Sequence, residues 1–447
     1  MVRQTSTKGA PSFSELIAEM VIHLITVWRV ELFMLAIPVG LGSWVYLRAG
    51  LLRGILCVTL VVLLGVLPPS LRHELARILH RSSVRRHLDI AFENSPGILS
   101  ERPPAISKVI RSNVGDKVAL TLAHGTSIDD MVKAESVIAS SLRVRDVQVI
   151  GDSSRKNQLT LSIIRRDPFE GASLPSPMLT TLRMSAWDPI PVGIDEQGDV
   201  VTICLPENNL LIGGLPNSGK SVSLSQIVGG FALDPTVDLW LFDGKLVELA
   251  SWRSCARRFV GPDIELAISV LEEIQAEMAA RYETLLANKV RKVCQGDGLS
   301  LHVVVIDELA LYVAGVDKKL ASRFAELLRD LVARGRAAGV IVVAATQKPS
   351  IDIVPSSLRD LFGFRWALRC ATREASDTVL GSGWASQGYS AADIDAAGRG
   401  VGLLLYEGGV PVRLRSFYLS DSDVEAISMR AIELRNNYSH SLKESGQ

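Results

Sequence analysis

Gly214-Leu215-Pro216-Asn217-Ser218-Gly219-Lys220-Ser221 has the spacing of a phosphate-binding loop, G-x-x-x-x-G-K-S. The apolar residues 210–212 before it read as a buried strand, and residues 222–231 after it as a helix. In such a turn the backbone N–H groups from Gly214 to Val222 form a concave nest for phosphate oxygens, reinforced by the helix N-terminus. Lys220 is placed to reach the β- and γ-phosphates and Ser221 to hold Mg²⁺. Asn217 stands where many such loops have Gly, and Asn tolerates positive φ. The stretch predicts a protein that binds and hydrolyses a nucleoside triphosphate.

Outward from the loop, strands and helices alternate. Residues 239–242, 303–306 and 341–345 are continuous apolar runs, the pattern of parallel strands buried on both faces. Helical segments over 266–288 and 320–338 lie between them. This predicts an α/β fold, a parallel sheet flanked by helices, over 176–420. Upstream, residues 105–175 read as a small α/β domain. It has strands at 117–123, 147–150 and 158–164, and a helix over 127–142 with Ser127 as N-cap and Asp130 in its first turn. Residues 421–447 read as a polar C-terminal tail that frays.

Several strand ends carry reactive side chains. The run 301–306 ends in Asp307-Glu308. There Asp307 is suited to bind Mg²⁺ through a water and Glu308 to orient or deprotonate an attacking water. Gln347 follows the next apolar strand, which should lie beside Asp307, and is suited to sense the γ-phosphate. Asp243-Gly244-Lys245 with Glu248 ends another strand and reads equally well as a turn with a surface ion pair. Arg334 and Arg336 close a helix. Arginines there suit the helix dipole; as fingers into a neighbour's nucleotide they require an oligomer.

The 447-residue chain has no net charge, so bulk charge gives no reason to expect nucleic acid. Its apolar content of 47% is concentrated locally. Residues 32–47 and 54–67 are free of charge, and Arg48 and Arg53 between them are able to snorkel at a hairpin tip. Two membrane helices are expected over 32–70. Arg72, Arg77, Arg81, Arg85 and Arg86 follow closely, which puts that side, both termini and the catalytic domain in the cytoplasm. Residues 1–31 contain an amphipathic segment, read as interfacial or as packing on an oligomer partner. Residues 71–104 read as a basic stem and linker. The five cysteines and seven histidines show no metal-ligand spacing.

Together these segments resemble the FtsK/SpoIIIE family of hexameric double-stranded DNA translocases. The matching phrases, besides GLPNSGKS, are LFDGKLVEL (241–249), EMAARYETL (277–285), VVVIDELA (303–310), ARGRAAG (333–339) and ATQKPSIDIVP (345–355). Residues 381–405 are most similar to conjugative Tra translocases of actinobacterial plasmids and integrated elements. The resemblance implies a RecA-like motor domain that binds ATP and Mg²⁺ and encircles duplex DNA as a membrane-anchored homo-oligomer, a hexamer. It assigns ATP and Mg²⁺ binding to Lys220 and Ser221, hydrolysis to Asp307 and Glu308, γ-phosphate sensing to Gln347 and the finger in trans to Arg336. Arg359, Arg373 and Arg399 are considered for the pore, with solvated surface arginines as the plainer reading. Two departures stand out. The stretch after the last motor strand is too short for the winged-helix domain of cell-division members. Gly244 also replaces a usual Pro, which predicts a looser turn. The alternatives are a coupling ATPase feeding single strands or protein to a secretion channel, a chromosome-segregation translocase, and a non-hydrolysing structural ring.

Overall fold

The computed structural model describes residues 68–445, apart from Pro96, Asn113, Ser153, Ser154, Ala172, Gly315, Val316 and Glu407. The two apolar runs expected to cross a membrane, and the amphipathic segment before them, lie outside the described residues. Among the described residues no helix is long and apolar enough to cross a membrane.

The chain divides into two compact units, one built around residues up to Ile110 with Leu120–Leu142, the other from Arg111–Ala119 and the chain from Arg143 onward. In the first, the basic stem is one long helix, α1 (Pro69–Glu93), opened by Pro69 at a position where a missing N–H costs nothing. Its Val84, Leu88, Ala91 and Phe92 are buried. A short helix, α2 (Ile98–Glu101), and strand β1 (Ala105–Arg111), which the sequence reading missed, follow. Strand β2 (Gly115–Thr121) straddles the division. Helix α3 (Ile128–Leu142) starts where Ser127 and Asp130 cap each other: the Ser127 N–H donates to the Asp130 carboxylate at 2.9 Å, and the Asp130 N–H to Ser127 Oγ at 3.3 Å. Strands β3 (Asp146–Gly151) and β4 (Gln158–Ile164) form an antiparallel hairpin in the second unit.

The rest of the second unit is built on a ten-stranded sheet. Its strands are β5 (Ile190–Asp195), β6 (Val200–Ile203), β7 (Leu210–Gly213), β8 (Asp238–Phe242), β9 (Ala256–Val260), β10 (His302–Ile306), β11 (Val340–Thr346), β12 (Phe364–Leu368), β13 (Val401–Tyr406) and β14 (Val412–Ser416). Their order is β6-β5-β14-β13-β12-β7-β11-β10-β8-β9. From β9 to β12 every pairing is parallel, and from β12 to β6 every pairing is antiparallel. The sheet is therefore mixed, a correction to the wholly parallel expectation. In its outer half β13–β14 and β5–β6 are hairpins, which need only short turns, whereas parallel neighbours need helical crossovers.

Helices cover both faces: α4 (Lys220–Ala232), α5 (Ile264–Ala287), α6 (Ala310–Val313), α7 (Lys318–Arg334), α8 (Ser356–Arg359), α9 (Arg373–Leu380) and α10 (Asp421–Ser445). Strand β10 shows why the central runs are continuously apolar. Val304 and Ile306 enter the core shared with α5 and α7, while Val303 and Val305 enter the core shared with α4 and α10. Asp263 and Asp317 cap α5 and α7 through their side chains. The residues expected as a frayed tail form α10. Its Ile427 and Ala431 are fully buried, and Arg430 donates to the carbonyls of Met178, Leu179 and Thr181.

Candidate nucleotide site

The loop between β7 and α4 is held from both sides of the sheet. The Gly214 N–H donates to Thr346 O at 3.2 Å, and the Leu215 N–H to Arg369 O at 2.8 Å. Asn217 (φ 61°) and Gly219 (φ 104°) take left-handed conformations, turning successive N–H groups to one side as an anion nest requires. At Gly219 a Cβ would stand 2.8 Å from the Gly400 Cα, so that close approach needs glycine. Gly400 in turn donates to Ser218 O at 2.9 Å. Helix α4 begins at Lys220, and its first-turn N–H groups have no intrahelical partner and are available to phosphate.

Lys220 is 3% exposed, and its ammonium donates to the Asp307 backbone carbonyl at 2.6 Å. Burial lowers its pKa, opposed by Glu308 and Asp307. The two acids sit at the end of β10, which is separated from β7 by β11. Both are buried, and each has a different environment. Asp307 accepts the Gly244 N–H through Oδ1 at 3.0 Å, while its Oδ2 is buried with no hydrogen-bond partner. Burial pushes its pKa up to about 6, with the Gly244 N–H and Lys220 pulling the other way. Glu308 is cradled at the end of β11. It accepts from Thr346 Oγ1 at 2.8 Å and from the Gln347 N–H at 2.9 Å. The neighbouring strands thus fix both the position and the orientation of its carboxylate.

The loop, the start of α4 and Gln347 border a cavity of about 330 Å³, lined by Pro216, Asn217, Lys220 and Ser221 among others, with Asp307 and Glu308 behind its lining. It fits a polyphosphate ligand, since a buried cation, free helix N–H groups and a left-handed nest all serve it. Mg²⁺ is also compatible with the donors present. It keeps several waters and uses one or two protein ligands beside phosphate oxygens, and the unpartnered Oδ2 of Asp307 and the Ser221 hydroxyl are of the right kind. Among the described residues there is no group of three or more His, Cys, Asp or Glu positioned to hold a metal by themselves.

The sequence reading brought Lys220, Ser221, Asp307, Glu308 and Gln347 together, and the structure does the same. The turn after β8 departs from expectation, because it is tied rather than loose. Asp243 is fully buried and accepts the N–H groups of Lys245 and Leu249, and Gly244 makes the bond to Asp307 that proline has no N–H to make. Glu248 from this turn lines the cavity. Arg336 does not line it; its Nη2 donates to Leu361 O at 2.9 Å within the same chain. Arg334 pairs with Asp330 one turn back on α7. Of the three arginines considered for a pore, Arg359 is 9% exposed and bonded to Asp360 and Asp377, so it is not a solvated surface residue. Arg373 is exposed beside Asp393 at 3.6 Å, and Arg399 lines the nucleotide cavity. Arg399, Glu248 and the segment 416–418 were missed as cavity residues. Only the fold-back of the β13–β14 hairpin brings two of these three to the loop.

The family model described as FtsK/SpoIIIE family matches residues 182–381. The DNA translocase FtsK of Staphylococcus aureus is 25% identical over 356 residues, covering 73% of this chain and 43% of the relative. The DNA translocase SftA of Bacillus subtilis is 26% identical over 396 residues, covering 82% of this chain and 38% of the relative. The chain thus spans less than half the length of either. Among solved structures, the pCW3 conjugation coupling protein TcpA, in a monomer form with ATPγS, superposes with a TM-score of 0.52 at 19% identity. That match covers 78% of this chain and 99% of TcpA. Residues 182–381, which hold the phosphate loop and the acidic pair, match the FtsK/SpoIIIE family model and have the α/β fold of a P-loop ATPase.

Proposed function

We propose that this chain is a membrane-anchored, ATP-driven motor that moves double-stranded DNA through a homo-oligomeric ring, a hexamer, in conjugative transfer of a plasmid or integrated element. One observation carries the reading: Lys220, Asp307 and Glu308 converge at the loop of a domain whose curated relatives are DNA translocases. The conjugative setting is supported by the shared fold of a conjugation coupling protein and by the Tra-like residues 381–405. The membrane anchor is supported by the charge-free runs at 32–47 and 54–67.

Bound ATP with Mg²⁺ supplies phosphoryl transfer to water as the source of work. The backbone from Gly214 to Val222 cradles the phosphates, and the Lys220 ammonium neutralises charge at their β and γ positions. Ser221 and Asp307 would hold the metal, which would offset negative charge on the phosphates. Glu308, fixed by Thr346 and Gln347, orients the attacking water and takes its proton. The Gln347 side chain senses the γ-phosphate, and Arg336 of a neighbouring subunit completes the site in trans.

The test measures ATP turnover without DNA, with duplex and with single strands, for the native chain and Glu308→Gln. The duplex motor requires strong stimulation by duplex that Glu308→Gln abolishes and that weakens steeply with salt, as phosphate contacts do. Equal stimulation by both DNAs overturns the duplex reading, and no turnover under any condition favours a structural ring. A reporter fused after Arg86 should read cytoplasmic; an external signal removes the hairpin anchor.

A further inference from the structure

Besides the phosphate loop, the cavity is lined by Ser173, Ser416, Phe417 and Tyr418. Tyr418 is a large aromatic left 50% exposed there. Its backbone is clamped on both sides. The Tyr418 N–H donates to Leu174 O at 2.8 Å, and its carbonyl accepts from the Ser176 N–H at 3.2 Å. Two hydrogen-bonded routes then tie this segment to the phosphate loop. In the first, Gln226, fully buried on α4, donates to Phe417 O at 3.2 Å and accepts from Ser176 Oγ at 2.8 Å. In the second, Gly400 donates to Ser218 O at 2.9 Å and accepts from the Ser416 N–H at 2.8 Å.

The backbone that carries the ring is thus fixed with respect to the loop by hydrogen bonds within the chain. Pre-organisation of that kind lowers the ordering cost of binding, and tyrosine has only two side-chain torsions to freeze. Ser416 already donates to Phe417 O at 2.9 Å and Phe417 is 4% exposed, so Tyr418 is the large exposed side chain among these four.

We propose that Tyr418 is the stacking platform for the base of the bound nucleotide, so that the site takes a nucleoside triphosphate in preference to a bare polyphosphate chain. The proposal rests on residues 214–221 being the phosphate cradle. Every base presents a π face, so a stacking wall detects that a base is present more than which base it is. Phosphates and base are then held by separate parts of the fold, and their contributions are experimentally separable.

The test compares equilibrium binding of ATP and of inorganic tripolyphosphate, each with Mg²⁺, to the full chain and to Tyr418→Ala, Tyr418→Phe and Lys220→Ala. Tyr418→Ala should weaken ATP by at least about fivefold, the effect of losing one base–aromatic stack, and leave tripolyphosphate unchanged. Tyr418→Phe should bind ATP as the native chain does. Intact tripolyphosphate binding also shows that each variant has kept its fold. An equal change for both ligands in Tyr418→Ala, no change in either, or a loss in Tyr418→Phe matching that in Tyr418→Ala overturns the platform. If Lys220→Ala leaves both ligands bound as before, the cradle itself is wrong and the platform falls with it.

Discussion

The Gly244 N–H donates to Asp307 Oδ1 at 3.0 Å, so the turn after β8 is joined directly to the acid at the end of β10. One oxygen of Asp307 is thereby fixed, and the other is left unpartnered on a strand end otherwise sealed from water. Gly244→Pro removes the one N–H that reaches that carboxylate among the described residues and should lower kcat by about tenfold, the loss of one charge-assisted hydrogen bond. Gly244→Ala keeps the N–H. Its new methyl meets Leu311 Cδ1 at 2.4 Å, and Leu311 is a flexible, 37% exposed side chain able to turn aside. Steady-state kinetics of the two variants separate the bond from the space: alanine should stay near native and proline should not.

The raised pKa of Asp307 predicts opposite trends for stability and activity. The folded state holds this proton up to about pH 6, against 3.8 for an ordinary aspartate. Asp307 therefore favours folding below the lower value, loses that advantage as pH rises between the two, and costs about 3 kcal/mol above the upper one. Asp307→Asn should accordingly raise the unfolding free energy at pH 8 but not at pH 4, and abolish turnover at both. Activity needs the carboxylate, so kcat/KM of the native chain, which reports the free enzyme, should fall as pH drops through about 6. Denaturant melts at the two pH values and a pH–rate profile check both.

Thr346 acts on Glu308 alone among the acids. Thr346→Val keeps the shape but removes the 2.8 Å bond to the carboxylate, and with it the 3.1 Å bond that Lys348 N–H makes to the same hydroxyl. We expect kcat to fall about tenfold with KM for ATP unchanged, equivalent to about 1.4 kcal/mol of transition-state stabilisation. In a Glu308→Gln background the same substitution should cost nothing further.

Arg336 has a measurable structural role within the chain. Its bond to Leu361 O implies that Arg336→Ala lowers stability by about 1 kcal/mol whatever else it does. If it also serves the neighbouring site, turnover should drop by about 10³ while ATP binding persists, and mixing with Lys220→Ala subunits should recover part of the activity. A lower melting temperature with native turnover would leave only the tether.

Helix α10 predicts a stability effect far from any chemistry. Arg435 donates to Ala232 O at the end of α4 and to Val237 O at 3.3 Å. Arg435→Ala leaves both carbonyls short of a partner and should cost about 2 kcal/mol, read by denaturant melts.

The central strands were legible because burial on both faces leaves an unbroken apolar run, as in 303–306, and the loop because its chemistry demands fixed spacing. Helix α10 was not. It is fastened by Ile427 and Ala431 one turn apart and by Arg430 and Arg435, whose guanidiniums take backbone carbonyls, and in sequence such arginines look like a solvated face. The antiparallel half of the sheet was equally hidden. In β14 the two residues at the start are exposed and the three at the end buried, which matches neither a two-sided nor an alternating strand. Since residues 416–418 follow directly from that strand, this part of the cavity lining could not be read before the sheet was known. Gly244 was read by what it lacks, a proline ring, when its contribution is an N–H.

Strand β11 lies between the strand that ends in the phosphate loop and the strand that ends in the acids. The loop and the acid pair are therefore two ladder spacings apart, about 10 Å, a distance set by backbone hydrogen bonds rather than by side-chain packing. Substitutions in either core can soften the molecule without moving these two ends relative to each other. A one-residue slip of β11 would not stretch that gap either. It would turn Thr346 to the opposite face and leave Glu308 unheld. The middle strand works as a gauge whose marking is its last residue, and register errors there should appear as lost turnover in a protein that still binds nucleotide.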